Sequence, residues 1–325
     1  MSDHHHDHRP DPATAGSAGT GSLTGPSGSA VLDRAAAFLV RDGRLLEQRL
    51  YEVVFDGETA GSALAALSGY RNADGGYGHG LEPDKRCPAS LPVDAEVALQ
   101  TLTLLAASDP AVAGTARAEA LRICGWLDTV AAPEGPVSLA LPVIESYPRA
   151  VHWAGWTLVP GLNPTAGLAG LLHGLGVRHD WLHRATGWCL DTVEEDGLPS
   201  DAHAVGEVMV LLAHLPERYR ERGEALAAAV PDALAGAEHY RADGEDPAYG
   251  VTPLHLAPTP GSPWRPLFSA ERIDGHLDRL LRDQREDGGW ALTWEPPSPS
   301  ATYDYRAAET LRALRVLAAY GRLGR

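Results

Sequence analysis

The sequence predicts an all-α chain folded as a double ring, with inner helices wrapped by outer ones. Three observations predict it. Apolar residues recur at three- and four-residue spacing through most of the chain, and alternating runs of β-branched residues hardly occur. The helical runs are of two kinds, amphipathic and apolar nearly all round, and the kinds alternate along much of the chain. Asp-Gly turn signals recur between them, at Asp74-Gly75, Asp196-Gly197 and Asp287-Gly288.

The elements follow in order. Residues 1–29 are rich in Gly, Ser, Pro and His with almost no apolar content, and are expected to be a disordered arm. One domain, 30–325, follows it. Amphipathic helices are expected at 31–55, 111–130, 180–194, 217–238 and 269–284, and a shorter helix at 59–70. Enclosed helices are expected at 93–107, 164–176, 201–215 and 304–321. A helix without a polar face must be covered on most sides. Asp94, Asn163, Asp201 and Asp304 stand at or just before these enclosed runs and are expected N-caps, because a side-chain oxygen there accepts an orphan backbone N–H. Stretches 133–163 and 240–269, rich in Pro, Gly and Trp, are expected to be long ordered loops. A repeated helix pair that cannot bury its own face closes by stacking on its neighbours.

The totals exclude some classes. A formal charge of −16 over 325 residues argues against nucleic-acid binding and against attachment to anionic membranes. Lys85 is the only lysine. No apolar run reaches the roughly 18 residues of a membrane span, so no membrane insertion is expected. Cys87, Cys124 and Cys189 form no Cys-x-x-Cys pair and suit a reducing cytoplasm.

The stretch Gln284-Arg285-Glu286-Asp287-Gly288-Gly289-Trp290 resembles the Gln-Trp motif of the squalene cyclase and protein prenyltransferase repeat superfamily. Asn72-Ala73-Asp74-Gly75-Gly76-Tyr77-Gly78 is similar to a variant with Asn for Gln and Tyr for Trp. The resemblance implies an α/α toroid in which the motif ties the end of an outer helix to the next inner one. The family's functional residues mostly do not carry over. The acid motif Asp-x-Asp-Asp is absent; the nearest acidic run is Asp243-Gly244-Glu245-Asp246. The Asp-x-Cys zinc pair of prenyltransferases has no counterpart, since Asp304-Tyr305-Arg306 lacks the cysteine.

The first motif copy carries more than the fold requires. His79, Glu82 and Asp84 follow it, with Arg86 and Cys87, and the second copy has no such cluster. A carboxylic acid shielded by aromatic rings can have a raised pKa and serve as general acid, so Asp84 or Glu82 is the expected acid and His79 its partner. Helix capping, or pairing with Arg86 at the rim, accounts for the same two carboxylates without catalysis. Tyr77, Trp153, Trp156, Trp294 and Tyr305 are the expected cavity wall, with ordinary loop packing as the plainer reading, and His203 is the expected contribution of an enclosed helix. His203 and Glu207 lie four apart on one helical face, and with His79 and Asp84 offer a divalent-metal set. Capping explains Asp94 and Asp201 more simply, and no metal or cofactor is expected.

The expected function is that of a terpene cyclase-like enzyme, protonating and cyclising or isomerising an apolar, isoprenoid-like small molecule in a central cavity. Two alternatives stay open. One is a carbohydrate-active lyase or hydrolase using the same carboxylates. The other is a non-catalytic small-molecule binding protein. A deep, closed, mainly apolar cavity suits the cyclase, an open groove with polar walls the sugar enzyme, and a flat, filled centre the binding protein.

Overall fold

A computed structural model describes residues 28–324. The arm expected at 1–29 therefore lies outside the described residues, apart from Gly28 and Ser29, which begin the first helix. Among the described residues the secondary structure is helical, with isolated β-bridges and no strand.

In chain order the α-helices are α1 (Gly28–Asp42), α2 (Leu45–Tyr51), α3 (Gly61–Ser68), α4 (Pro92–Ser108), α5 (Ala113–Val130), α6 (Leu162–Gly174), α7 (Asp180–Asp196), α8 (Ala202–Ala213), α9 (Arg220–Ala227), α10 (Val230–Gly236), α11 (Pro253–Leu256), α12 (Ala270–Arg282) and α13 (Pro299–Ala319). The expected helix 31–55 is broken at Gly43, and 217–238 is broken between α9 and α10. Each break falls beside a residue poor at continuing a helix, Gly43 in one case and Pro231 in the other. The two long loops are ordered, with short helical turns at Pro142–Ser146 and Gly155–Leu158 in the first.

Packing follows the two kinds of helix. α4, α6 and α8 lie in succession, α6 touching both others. α5 and α7 pack on one another, as do α7 and α9, and each enclosed helix meets an amphipathic one: α4 with α5, α6 with α7, α8 with α9. α6 is buried from Pro164 through Gly170, as its lack of a polar face requires. It lies so close to α8 that a Cβ at Gly170 would sit 2.6 Å from the Val210 backbone. The first and last long helices, α1 and α13, are neighbours, and α13 also touches α2.

The capping expectation holds at one place of four. Asp201 caps α8, its Oδ1 accepting from the His203 and Ala204 amides. Asp94 lies in the first turn of α4, whose N-cap is Leu91. Asn163 sits inside the first turn of α6 with non-helical backbone. α13 begins five residues before Asp304, at Pro299, with Ser298 as cap. Asp94 and Asp304 are left for other partners.

The two Asp-Gly-Gly segments have the same geometry. Gly75 and Gly288 take φ of 93° and 96°, a region closed to most side chains. Asp74 Oδ1 accepts from Gly76 N at 2.9 Å, and Asp287 Oδ1 from Gly289 N at 3.1 Å. Antiparallel bridges close the turns between Arg71 and Tyr77 and between Gln284 and Trp290. By this register Arg71, not Asn72, occupies the place of Gln284. The side chains reach a helix distant in sequence in both copies. Arg71 pairs with Glu119 on α5 at 2.8 Å, while Gln284 Nε2 donates to Val31 O on α1 at 2.9 Å. The second turn thus binds the end of the chain to its beginning.

Candidate functional site

The loop between the first turn and α4 is pinned from several sides. Leu91 N donates to Tyr77 O and Arg86 N to Pro148 O, both at 2.9 Å. Ala150 N donates to Asp84 O at 2.8 Å, and Lys85 bridges to Arg149. These bonds lay the segment around 148–153 along residues 84–86, which brings His152 and Trp153 to the carboxylates.

Lys85 is fully enclosed. Its Nζ donates to Glu82 O at 3.1 Å, Glu82 Oε2 at 2.8 Å and Asp94 Oδ1 at 3.2 Å, which uses all three ammonium protons. The Trp153 ring lies 5.3 Å from it, a cation–π distance. Asp94 Oδ1 also accepts from Glu82 N at 2.8 Å. So the chain's only lysine fastens the loop to α4. Burial lifts the Asp94 carboxyl to about 6, against the pull of Lys85.

Two groups connect this network to the outside. His152 Nε2 lies 3.0 Å from Asp84 Oδ2, with His152 about half exposed and Asp84 buried. The hydrogen bond to Asp84 raises the imidazole pKa against the effect of burial, helped by the charges of Asp84 and Glu82. Asp84 Oδ1 is buried with no hydrogen-bond partner. Tyr305, on α13, donates its hydroxyl to Glu82 Oε1. Burial, then the charges of Glu82 and Asp84, push this phenol far above its ordinary pKa and keep it protonated.

From Tyr305 a row of rings leads away. Trp294 stands edge-on to Tyr305 at 5.1 Å, Tyr249 edge-on to Trp294 at 5.7 Å, and His203 stacks on Tyr249 at 5.4 Å. Trp294, Tyr249 and His203 line a half-open cavity of about 570 Å³, whose other walls include His276, Arg279, Trp290, Glu309 and Arg312. The cavity does not reach Glu82 or Asp84; Trp294 and Tyr305 stand between.

A second carboxyl pair lies deeper. Glu96 on α4 and Glu207 on α8 are buried neighbours beside α6; Glu207 Oε2 has no hydrogen-bond partner, and a Cβ on Gly167 would fall 1.5 Å from it. Gln100 Nε2 donates to Glu96 Oε1 at 3.0 Å. Burial lifts both acids, Glu96 to about 7 and Glu207 well above its ordinary value, where the charge of Glu96 adds to the effect. The pair shares a proton, because two adjacent buried carboxylates cannot both ionise cheaply.

The structure gathers Glu82, Asp84 and Tyr305 into one network, puts Trp153 against its lysine, and sets Trp294 and His203 along the ring row. It leaves three expected residues elsewhere. His79 is exposed and bonds Asn72 Oδ1 at 2.9 Å, away from both acids. Trp156 is 61% exposed. Tyr77 is buried as the ring of the first turn. The metal set of His203, Glu207, His79 and Asp84 does not assemble, since Glu207 faces Glu96 and His79 faces Asn72. Sequence reasoning missed Lys85, His152 and Tyr249. A lone lysine among carboxylates, and a His beside Trp153, were the available signals. Cys87, Cys124 and Cys189 are free and buried, and burial raises each thiol, which leaves none activated.

No protein-family model and no curated protein matches the chain. A crystal structure of a protein from Actinoplanes is similar to it in fold, with a TM-score of 0.51 over 90% of this chain and 99% of that one, at 19% identity. That likeness concerns the fold alone. No helix among the described residues is long and apolar enough to cross a membrane.

Proposed function

We propose that the chain is an acid–base enzyme on an α/α toroid, acting on a hydroxylated, ring-shaped small molecule such as a sugar unit. The observation that carries it is the His152–Asp84 pair, a solvent-reachable imidazole held at 3.0 Å by a buried carboxylate whose other oxygen is unpartnered. Such a pair moves protons near neutrality, and the buried carboxylate keeps the imidazole oriented. Tyr305 and Glu82 supply a second proton-bearing couple beside it. Trp294 and Tyr249 offer ring faces, and the half-open cavity beyond them mixes charged side chains (Arg279, Glu309, Arg312) with apolar ones (Leu254, Leu280, Leu292), as a ring carrying hydroxyl groups requires. The toroid is supported by the successive packing of α4, α6 and α8, by the contact of α1 with α13, and by the second turn's bond to α1.

A terpene cyclase-like reaction on an isoprenoid is the second reading. The two Asp-Gly-Gly turns and the row of electron-rich rings favour it, since such rings stabilise a carbocation.

The test is incubation with two panels, oligosaccharides and isoprenoid alcohols or diphosphates, with products read by mass spectrometry for the parent and for Asp84→Asn. Turnover of a saccharide that Asp84→Asn abolishes supports the first reading. Turnover of an isoprenoid alone supports the second, and saccharide turnover undiminished in Asp84→Asn removes the pair from the chemistry.

A further inference from the structure

Beyond the carboxylate network, Asp201, His203 and His239 bring three donor atoms to one point, each within 4.8 Å of the others. We propose that these three side chains form a divalent-metal site, built for zinc, at the rim of the cavity. Asp201 Oδ1 lies 3.2 Å from His203 Nδ1, and Asp201 Oδ2 lies 2.7 Å from His239 Nδ1. Zinc bound at about 2.0–2.1 Å to tetrahedral nitrogen and oxygen ligands sets neighbouring donors roughly 3.3 Å apart. Small side-chain rotations convert the present spacing into that one.

Both imidazoles turn Nδ1 toward the same carboxylate. Each Nδ1 addresses its own oxygen of that carboxylate, His203 at Oδ1 and His239 at Oδ2. A single cation satisfies all three donors at once. Ligation through Nδ1 needs the proton of His203 on Nε2, and a partner stands there: Tyr249 Oη at 2.9 Å. This is the outer-shell contact that fixes the tautomer of a metal-bound histidine.

The backbone is also set for the purpose. His239 takes φ of 59°, unusual for a residue with a side chain. The strand-like contacts around it are tight: Glu238 N donates to Ser200 O at 2.8 Å, Ala202 N to Glu238 O at 2.9 Å, and Val251 N to His239 O at 2.8 Å. These bonds hold the His239 loop against the start of α8, and the unusual φ aims the ring at Asp201. Two imidazoles and one carboxylate favour zinc over magnesium or calcium, which prefer oxygen alone. Three protein ligands leave one coordination position for water or a substrate oxygen, and His203 lines the cavity. The site stands whatever the substrate is.

The test is zinc uptake by full-length chain in which His4, His5, His6 and His8 are changed to serine, so the arm cannot bind. The metal-stripped chain is titrated with zinc chloride in competition with a chromophoric chelator, and circular dichroism checks that each variant folds. The expected result is one zinc per chain, with uptake lost in His203→Ala/His239→Ala. Tyr249→Phe, which leaves all three ligands in place, should weaken binding about 10–100-fold. A parent chain that takes up no zinc, or a double variant that keeps one ion, overturns the site. If the double variant does not fold, Tyr249→Phe decides: unchanged affinity counts against the site and reduced affinity for it.

Discussion

His152 Nε2 lies 3.0 Å from Asp84 Oδ2, joining a half-exposed imidazole to a buried carboxylate from a different loop. The bond raises the histidine pKa, so replacing the carboxylate should lower it. In Asp84→Asn the His152 ring signals, followed by NMR against pH, are expected to titrate at lower pH than in the parent. The sign for stability follows. A histidine with a raised folded pKa stabilises fully below its unfolded value near 6.5, and the contribution fades as pH climbs through the folded value. Where turnover is found, Asp84→Asn should reduce kcat about 10²–10⁴-fold, the usual worth of general acid–base catalysis. An unmoved titration would show that the two groups are not coupled in solution.

Lys85 presents a different situation, since its side chain is 0% exposed and every ammonium proton is used. Lys85→Met keeps most of the length of the side chain and removes the charge. It leaves Glu82 and Asp94 facing each other without a cation. Removing one partner of a buried ion pair costs about 3–5 kcal/mol. Asp94 is already lifted to about 6 in the parent, so its ionised form is disfavoured on folding and becomes more so without Lys85. The loss of thermal stability should therefore be greater at pH 8 than at pH 5, as two melting series would show.

How much of this was written in the sequence depends on the range of the interaction. Helix periodicity is local, and the enclosed and amphipathic runs appear close to where they were expected, with breaks at Gly43 and Pro231 that a longer pattern overrode. The Asp-Gly-Gly turns were legible too, since a positive φ at Gly75 and Gly288 is a demand of the local chain. The register was legible as well: the shared Asp-Gly-Gly sets Arg71 against Gln284, so matching Asn72 to Gln284 was one position off, and the bridges have the same pairing. Asp94 looked like a cap because caps are local, yet it serves Lys85 and the Glu82 amide across a loop. His152 was invisible as a partner of Asp84 because loop-to-loop pairing leaves no periodic trace. His79 sat beside the acids in sequence, and its φ of 57° turns it outward.

Gly288 and Gly75 allow a graded test of the turns. Both have positive φ, so alanine strains either backbone, at about 1–3 kcal/mol. Their surroundings differ. A Cβ on Gly288 would lie 2.0 Å from Arg34 O, and one on Gly75 would lie 3.2 Å from Arg122 O. Gly288→Ala must also push α1 away from the turn, and should lower the melting temperature more than Gly75→Ala. Equal losses would mean that the closure between chain end and α1 contributes little.

Glu96 and Glu207 set a pH dependence that the surface charges do not. Their protonated forms are favoured on folding, mainly by burial, and Glu96 titrates at about 7 against an ordinary 4.5. Between those values the folded chain holds more protons than the unfolded one, so stability falls as pH rises through that window and stays low above it. Glu207→Gln keeps the shape of the side chain and removes the charge that ionisation would bring. The amide can hydrogen-bond Glu96, and Gly167 still leaves room for it. The variant should match the parent near pH 4 and exceed it at pH 8. Denaturant melts at the two pH values measure the difference directly. A variant less stable than the parent at pH 8 would mean that the pair is held by something stronger than a shared proton, and the stretch of α6 between them would be the place to look.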